Sequence, residues 1–191
     1  MNAASLAAAS AGTLLFVPGD RPERFGKAAA AGADLVVLDL EDAVAPENKE
    51  AARANVAAWA AEHVCAVRVN AADTPWYADD LAALAGTGCA VMVPKAENAR
   101  TLAAIGSPHA VIALVETAAG VLAAGEIAAC DGVVRLALGT FDLAAQLGVD
   151  PVDSEALAAA VDAAGVAKVD GAMVDKPVVE RAQRILSRAG E

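Results

Sequence analysis

The chain has 191 residues, 57% of them hydrophobic, and carries a formal charge of −11. This length and apolar content suit one globular domain with a sizeable core and exclude a disordered chain. The acidic balance, without any cluster of Lys or Arg, disfavours a nucleic-acid partner, which needs a basic face. No uninterrupted apolar run reaches the length of a membrane span, so no membrane partner is expected.

The start of the chain lacks the basic region of a signal peptide, and we expect a cytoplasmic protein. Cys65, Cys89 and Cys130 stand far apart in apolar sequence, which predicts buried free thiols rather than disulfides or a metal cluster. His63 and His109 are equally isolated at predicted strand edges, and neither suggests a histidine metal site or a catalytic triad.

Six apolar runs alternate with alanine-rich stretches of helical spacing, at the interval of one β-strand plus one α-helix. The runs are nearly continuously apolar, which is typical of strands covered on both faces of a parallel sheet. In chain order they are TLLFVPG, LVVLDLED, VCAVRVN, AVMVPKAE, AVIALVET and VVRLALGTFD. No glycine-rich dinucleotide or phosphate loop follows the first run, so a β/α barrel fits better than a doubly wound sheet.

Every predicted strand ends in polar or charged residues. The carboxyl ends of parallel strands converge on one edge of a sheet, where ligands of such folds bind. Six endings of this kind favour a shared functional site over solvation alone. The residues are Pro18, Gly19, Asp20 and Arg21, then Asp39, Glu41 and Asp42, then Arg68 and Asn70, then Lys95 and Glu97, then Glu116 and Thr117, and finally Asp142.

Seven stretches, taken in order, resemble the citrate lyase beta-subunit-like proteins of the HpcH/HpaI aldolase superfamily. They are LLFVPGDRPERF, VVLDLEDAV, VRVN, VMVPKAE, ALVETAAG, LALGTFDLAAQLG and VDGAMVDKPVVERAQRIL. The resemblance implies a TIM barrel, in a homotrimer or a multiple of one, that uses Mg²⁺ to make or break a carbon-carbon bond in a CoA thioester. It implies citryl-, malyl- or citramalyl-CoA type substrates, cleaved to an acyl-CoA and an oxo acid, or hydrolysis of the thioester.

One departure from the family is large. The last two motifs are joined by VDPVDSEALAAAVDAAGVAK, where the family has two further strands with their helices. We therefore predict a β/α barrel domain of six βα units over 1–150 that lacks strands seven and eight, followed over 151–191 by a shortened linker and a C-terminal segment packing on a neighbouring subunit. A disordered internal segment absent from the numbering is the favoured explanation, ahead of a deletion or coverage by neighbouring chains.

Glu116 and Asp142 are the candidate metal ligands. They are hard oxygen donors at the ends of adjacent strands, and two carboxylates suit an octahedral Mg²⁺ that keeps waters and binds a chelating substrate. Mn²⁺ is the alternative ion, and the same positions carry the metal in the family that the chain resembles. The alternative without a metal is that Glu116 caps the following helix and Asp142 hydrogen-bonds its own loop.

Arg68 ends an apolar strand, where a guanidinium needs a partner. We expect it to stabilise an oxyanion in a retro-aldol step, with a buried salt bridge to Asp39 as the alternative. Glu41 and Asp42 are candidates for hydrogen bonds to metal-bound waters, whereas Asp39 could pair with Lys95 or Arg68. For these three acids, structural ion pairing and a direct functional role are about equally favoured.

The remaining candidates concern proton delivery and substrate binding. The resemblance implies that Asp175, in GAMVDKP, delivers a proton to the enolate carbon from an adjacent subunit, whereas composition alone suggests a helix cap. Asn70 binds substrate or braces its turn, and Gly139 allows close backbone approach near the metal. Three basic residues could face CoA phosphates or form an ordinary solvated helix start, namely Arg21, Arg24 and Lys27.

The sequence therefore predicts a Mg²⁺-dependent carbon-carbon lyase acting on a short hydroxyacyl-CoA thioester. One alternative is a CoA-independent class II pyruvate-type aldolase, although such enzymes often use a histidine near the first strand and this chain has none there. The other is a catalytically silent subunit or interaction protein, which the two missing strands favour.

Overall fold

A computed structural model describes residues 2–105, 109–148, 150–153, 155 and 157–158. Six strands and seven helices alternate through this part of the chain. The strands are β1 (Leu14–Pro18), β2 (Leu35–Asp39), β3 (Ala66–Arg68), β4 (Ala90–Val93), β5 (Val111–Val115) and β6 (Val133–Leu138). The helices are α1 (Ala3–Ser10), α2 (Phe25–Ala29), α3 (Lys49–Ala60), α4 (Tyr77–Leu84), α5 (Ala99–Ala103), α6 (Ala118–Ala128) and α7 (Thr140–Leu147), with 3₁₀ turns at Pro22–Arg24 and Pro46–Asn48 before α2 and α3.

The six strands form one parallel sheet in chain order, from β1 to β6. Among the described residues β1 and β6 each pair with a single neighbour, so the sheet is an open portion of a barrel wall. The predicted fold class, a TIM-type β/α barrel short of two strands, is confirmed. The predicted division at residue 150 stays a prediction, because most of 151–191 lies outside the described residues.

Two apolar layers flank the sheet, because successive strand residues point to opposite faces. The outer layer packs residues such as Val36, Leu38 and Val67 against the helices that follow the strands. The inner layer contains Val37 and Ile112, together with small residues of β3 and β4. The inner face is the one that a closed barrel would enclose.

Helix α1 covers part of the inner face, although the sequence pattern did not predict it. The Asn2 side chain caps the helix by accepting the Ser5 N–H at 2.8 Å, and it donates to the Gly88 carbonyl at 2.9 Å. The buried Arg135 of β6 donates to the Ala11 carbonyl at 2.6 Å, just past the end of α1. The helix is thus tied to the same face of the sheet as the inner apolar layer.

The thiols and imidazoles lie away from the strand ends that carry the acids. All three cysteines are free; Cys65 and Cys89 are buried as predicted, whereas Cys130 is only half-buried. Burial raises the pKa of Cys65 to about 12, which makes its thiol unreactive. His109 lies just before β5, and His63 stacks on Trp59 beyond the main body of α3. None of the described helices is long and apolar enough to cross a membrane.

Candidate active site

The inward rows of three strands end in charged residues. Asp39 continues the inner row of β2, Arg68 continues that of β3, and Glu116 follows β5 by one residue on the same face. Because alternate residues of a strand share a face, these three groups lie on the same face as the buried apolar side chains of the inner layer. They meet at the carboxyl ends of the strands, which we call the mouth. The predicted convergence at the carboxyl ends of the strands is confirmed for these groups.

Asp39 is the structural anchor of this mouth. It lies directly opposite Arg68 in the strand register, and its two oxygens accept from Arg68 Nε and Nη2, each at 2.7 Å. The same carboxylate accepts the N–H groups of Glu41 at 2.9 Å and Ala43 at 3.1 Å. The proposed pair with Arg68 is confirmed, whereas a pair with Lys95 is wrong, because the Lys95 ammonium binds another acid.

That acid is Glu41, which lies between two cations. Lys95 Nζ donates to Glu41 Oε1 at 3.0 Å, and Arg68 Nη1 lies 3.2 Å from Glu41 Oε2. Burial raises the pKa of Glu41 although both cations oppose it. Its buried Oε2 accepts no hydrogen bond from the described residues, so it can accept one from a ligand or a bound water. Asp42 is exposed and lies 3.8 Å from Arg68 Nη1.

The Glu116 carboxylate lies between the main chain at Lys95, which donates a hydrogen bond to it, and the main chain at Gly139, which leaves room for it. Its Oε1 accepts the main-chain N–H of Lys95 at 2.9 Å, and a Cβ at Gly139 would lie only 2.6 Å from its Oε2. The predicted close approach at Gly139 is confirmed, because no larger residue leaves room for this carboxylate. Glu116 does not cap the next helix: Thr117 caps α6 by accepting the Gly120 N–H at 3.0 Å.

The environment of Glu116 makes its negative charge costly. Burial raises the pKa of Glu116 to about 7, and the charges of Glu41 and Asp142 add to the rise. The Lys95 N–H and Arg68 act in the opposite direction. Asp142 therefore lies within electrostatic reach of Glu116. It is exposed and belongs to the first turn of α7 rather than to the end of β6, which corrects the prediction of its place.

The charges at this mouth suit a divalent cation. Five acids lie within electrostatic reach of three cations, and their carboxylate oxygens are hard donors of the kind that Mg²⁺ prefers. Within the described part of the chain, no group of three or more His, Cys, Asp or Glu side chains is arranged to hold a metal ion. The acids are Asp39, Glu41, Asp42, Glu116 and Asp142, and the cations are Arg68, Lys95 and Lys49.

A buried network that the sequence analysis missed supports the turn after β2. Lys49, at the start of α3, donates to the carbonyls of Leu40 at 2.6 Å and Glu41 at 2.7 Å, and to Asn70 Oδ1 at 2.6 Å. Asn70 in turn donates its N–H and its Nδ2 to one oxygen of Asp80. All three ammonium hydrogens of Lys49 thus have acceptors. Two of these hydrogen bonds hold the main chain at Leu40 and Glu41 in place.

This network favours one of the two roles considered for Asn70. Its amide oxygen and nitrogen are engaged by Lys49 and Asp80, and the residue is buried, so it braces its turn. Arg53 Nε extends the network to Asp80 at 2.8 Å. In the sequence, Lys49 and Arg53 look like ordinary solvated residues of an amphipathic helix. Asn70, which follows the apolar run of β3, is the sequence signal that points to this network.

The basic residues of the first loop are exposed. Arg21 lies on the loop, Arg24 ends the 3₁₀ turn and Lys27 belongs to α2. Arg21 and Arg24 form loose ion pairs with the neighbouring Asp20 and Glu23, at 3.8 Å and 3.9 Å. Phosphate binding by the three residues stays a prediction. Asp175 lies outside the described residues, so its predicted role stays a prediction as well.

The family model for HpcH/HpaI aldolase/citrate lyase matches residues 12–189. The chain belongs to this family. A citrate lyase subunit beta-like protein of Mycobacterium tuberculosis is 52% identical over 136 residues, which are 70% of this chain and 49% of that protein. An L-malyl-CoA/beta-methylmalyl-CoA lyase of Cereibacter sphaeroides is 37% identical over 159 residues, with 71% of this chain and 50% of the lyase covered. The chain spans about half the length of these curated family members.

Solved structures of the family resemble the fold described above. The citrate lyase beta subunit of M. tuberculosis, complexed with oxaloacetate and magnesium, superposes with a TM-score of 0.72 at 44% identity, over 84% of this chain and 76% of that one. The CitE protein of M. tuberculosis in complex with magnesium, acetoacetate and coenzyme A gives a TM-score of 0.67 at 44% identity. The superposition covers 82% of this chain and 64% of that one.

Proposed function

We propose that this chain forms the core of a Mg²⁺-dependent lyase that cleaves a carbon-carbon bond in a short hydroxyacyl-CoA thioester. The products are an acyl-CoA and an oxo acid, and the substrate is of the citryl-, malyl- or citramalyl-CoA type. The observation that carries the proposal is the set of buried, incompletely neutralised carboxylates around Glu116 at the strand ends. The names of the similar lyases and the magnesium, oxaloacetate and coenzyme A of the similar structures support it.

In the proposed site Glu116 and Asp142 hold the metal, and Glu41 and Asp42 accept hydrogen bonds from its waters. The buried Oε2 of Glu41, which lies near Arg68 Nη1 but accepts no hydrogen bond from the described residues, is suited to such a water. Mg²⁺, when bound, supplies Lewis-acid polarisation of the substrate oxygen that becomes the new carbonyl. Mn²⁺ has the same preference for oxygen ligands and is the alternative ion.

Arg68 is the proposed positive group for the developing oxyanion. Asp39 occupies its Nε and Nη2, which fixes the guanidinium plane and leaves Nη1 near Glu41 and Asp42 as the part directed at the mouth. In the retro-aldol step a base removes the β-hydroxyl proton, the carbon-carbon bond breaks, and its electron pair forms the thioester enolate. An acid then protonates the enolate carbon, a role that we assign to Asp175 of a neighbouring subunit.

Substrate binding is assigned to groups around the same mouth. Gly139 provides space beside Glu116, and Arg21, Arg24 and Lys27 are the proposed contacts for CoA phosphates. Asn70 does not contact substrate in this proposal; it stabilises the turn after β3 through its hydrogen bonds to Lys49 and Asp80.

Thioester hydrolysis is the second candidate activity. A (3S)-malyl-CoA thioesterase of Cereibacter sphaeroides is 37% identical over 144 residues, with 71% of this chain and 50% of the thioesterase covered. A CoA-independent aldolase with a histidine base receives no support from the described residues. His109 lies at the opposite ends of the strands, and His63 stacks on Trp59.

Incubation of the purified chain with malyl-, citramalyl- and citryl-CoA, with Mg²⁺ or with a chelator, tests the proposal. We expect Mg²⁺-dependent release of an oxo acid together with an acyl-CoA in equal amounts. Release of free CoA without an oxo acid would assign the thioesterase activity instead. Absence of both products in a sample of verified mass would favour the catalytically silent subunit.

A further inference from the structure

Lys95 has an unusual backbone conformation beside the candidate metal ligand. Its φ of +47° lies in the left-handed region, and it is the one non-glycine residue with positive φ in the described part of the chain. An L residue with a Cβ adopts this region at a cost in free energy, and Asn and Asp, which tolerate it best, are not used here. Such residues cluster at functional sites, where the surroundings hold them in place.

The left-handed turn directs two groups of one residue to two different acids. The Lys95 N–H donates to Glu116 Oε1 at 2.9 Å, and its Nζ donates to Glu41 Oε1 at 3.0 Å. The next residue, Ala96, immediately resumes strand-like pairing by donating its N–H to the Leu114 carbonyl at 3.1 Å. The conformation is therefore a local departure, confined to the residue whose N–H meets Glu116.

The main-chain N–H of Lys95 orients the Glu116 carboxylate. The carboxylate is buried, and one oxygen faces Gly139 while the other meets Lys95. A single main-chain donor therefore decides which way the carboxylate plane is turned. The Lys95 side chain is 44% exposed, so solvent screens its ammonium, although the Glu41 carboxylate that it meets is buried.

We infer that Lys95 is a positioning residue, whose left-handed main chain orients the Glu116 carboxylate for its ligand. The inference rests on the proposed function, because the ligand in question is the divalent cation. It assigns the role to the backbone at residue 95 and not primarily to the charge of its side chain.

Three variants distinguish the effect of the backbone conformation at residue 95 from the effect of the Lys95 charge. Lys95→Gly, Lys95→Ala and Lys95→Val all remove the ammonium, but the cost of the left-handed conformation rises from Gly to the β-branched Val. Asp131, an exposed residue with ordinary backbone, provides the matched pair Asp131→Gly and Asp131→Val.

The first measurement uses the metal-free protein and NMR detection of amide hydrogen exchange at residue 95. We expect exchange in Lys95→Gly within threefold of the wild type and at least tenfold faster exchange in Lys95→Val, with Lys95→Ala between them. Equal exchange in the three variants would overturn the inference, whether or not the protein binds Mg²⁺.

The second measurement is the Mg²⁺ dissociation constant from calorimetry. Lys95→Val should bind Mg²⁺ at least tenfold more weakly than Lys95→Gly, whereas the two Asp131 variants should agree within threefold. Equal affinity of Lys95→Gly and Lys95→Val overturns the inference. Absence of Mg²⁺ binding by the wild type instead overturns the proposed function, and the exchange measurement still decides the role of Lys95.

Discussion

The charge of Glu116, the proposed metal ligand, lowers the stability of the folded protein. The residue is 5% exposed, and burial together with Glu41 and Asp142 raises its pKa to about 7. In the unfolded chain the group ionises near its ordinary value of 4.5. The folded protein therefore binds the proton more tightly than the unfolded chain, and stability falls as pH rises between these two values.

Glu116→Gln should consequently stabilise the metal-free protein at high pH. The amide keeps an oxygen for the Lys95 N–H and removes the costly charge. We expect a free energy of unfolding higher by about 2 kcal/mol at pH 8 and little changed near pH 4, from the pKa difference at 1.36 kcal/mol per unit with allowance for relaxation. Urea unfolding at both pH values measures it. A variant less stable than the wild type at pH 8 would contradict the account of Glu116.

Lys49→Met tests the buried support beneath Glu41. The variant keeps the length of the side chain but leaves the acceptors on Leu40, Glu41 and Asn70 without their donor. We expect a loss of about 3 kcal/mol in the free energy of unfolding, because buried unsatisfied polar groups are costly. Arg100→Met, at an exposed position, serves as the control and should change stability by less than about 0.5 kcal/mol. Equal, small effects in urea unfolding would refute the network.

At the scale of elements, the end of β5 and the start of α7 meet through a glycine. A Cβ at Gly139 would lie 2.6 Å from both Cβ and Oε2 of Glu116, closer than real Cβ contacts. Two elements that carry the proposed metal ligands can approach only because this position has no side chain.

Gly139→Ala should therefore displace the Glu116 carboxylate, weaken Mg²⁺ binding at least tenfold and lower stability. Gly125→Ala is the matched control, because Gly125 lies inside α6 with nothing within 4 Å of the added Cβ. That control should gain roughly 0.5–1 kcal/mol of stability from the helix preference of Ala, with unchanged Mg²⁺ affinity. Calorimetry measures the Mg²⁺ affinity of the two variants, and urea unfolding measures their stability. If both variants bind Mg²⁺ like the wild type, the close approach of Gly139 to Glu116 is not needed for metal binding.

Local patterns predicted the strands and the acids that follow them. Nearly continuous apolar runs specified parallel strands, and the acids after β2 and β5 are found at the common mouth as the shared direction of the strands requires. Lys49 could not be found in this way, because its three acceptors lie on another loop and another strand end. Lys95, which has a positive φ, donates its main-chain N–H to Glu116, twenty-one positions away, and no local pattern marks that contact. Helix α1 lacks the apolar periodicity that marks a helix in a sequence.

The whole molecule presents a sheet with two open edges in its described part, at β1 and β6. Unpaired edges of parallel strands expose hydrogen-bonding groups that proteins normally cover by pairing or by contact with other elements. The family model extends through residue 189, beyond the described residues. Association of subunits is one way in which such a surface can be covered.

The family resemblance implies a homo-oligomer, and we predict a trimer or a multiple of one, in which the segment carrying Asp175 reaches the site of a neighbour. Sedimentation velocity should give a mass that is three times, or a multiple of three times, that of the 19.0 kDa chain. Mixing Asp175→Asn chains with Glu116→Gln chains should restore part of the activity that each variant lacks alone. A monomeric, fully active protein would contradict both expectations.

Calorimetric titration of Mg²⁺ in the presence of oxalate, an analogue of the oxo-acid product, measures whether Glu116 and Asp142 together bind a divalent cation. We expect binding by the wild type, a loss of at least tenfold in affinity for both Glu116→Gln and Asp142→Asn, and no change for the surface variant Asp131→Asn. Wild-type protein of verified mass that binds no Mg²⁺, or binds it equally well without these two carboxylates, would contradict the account.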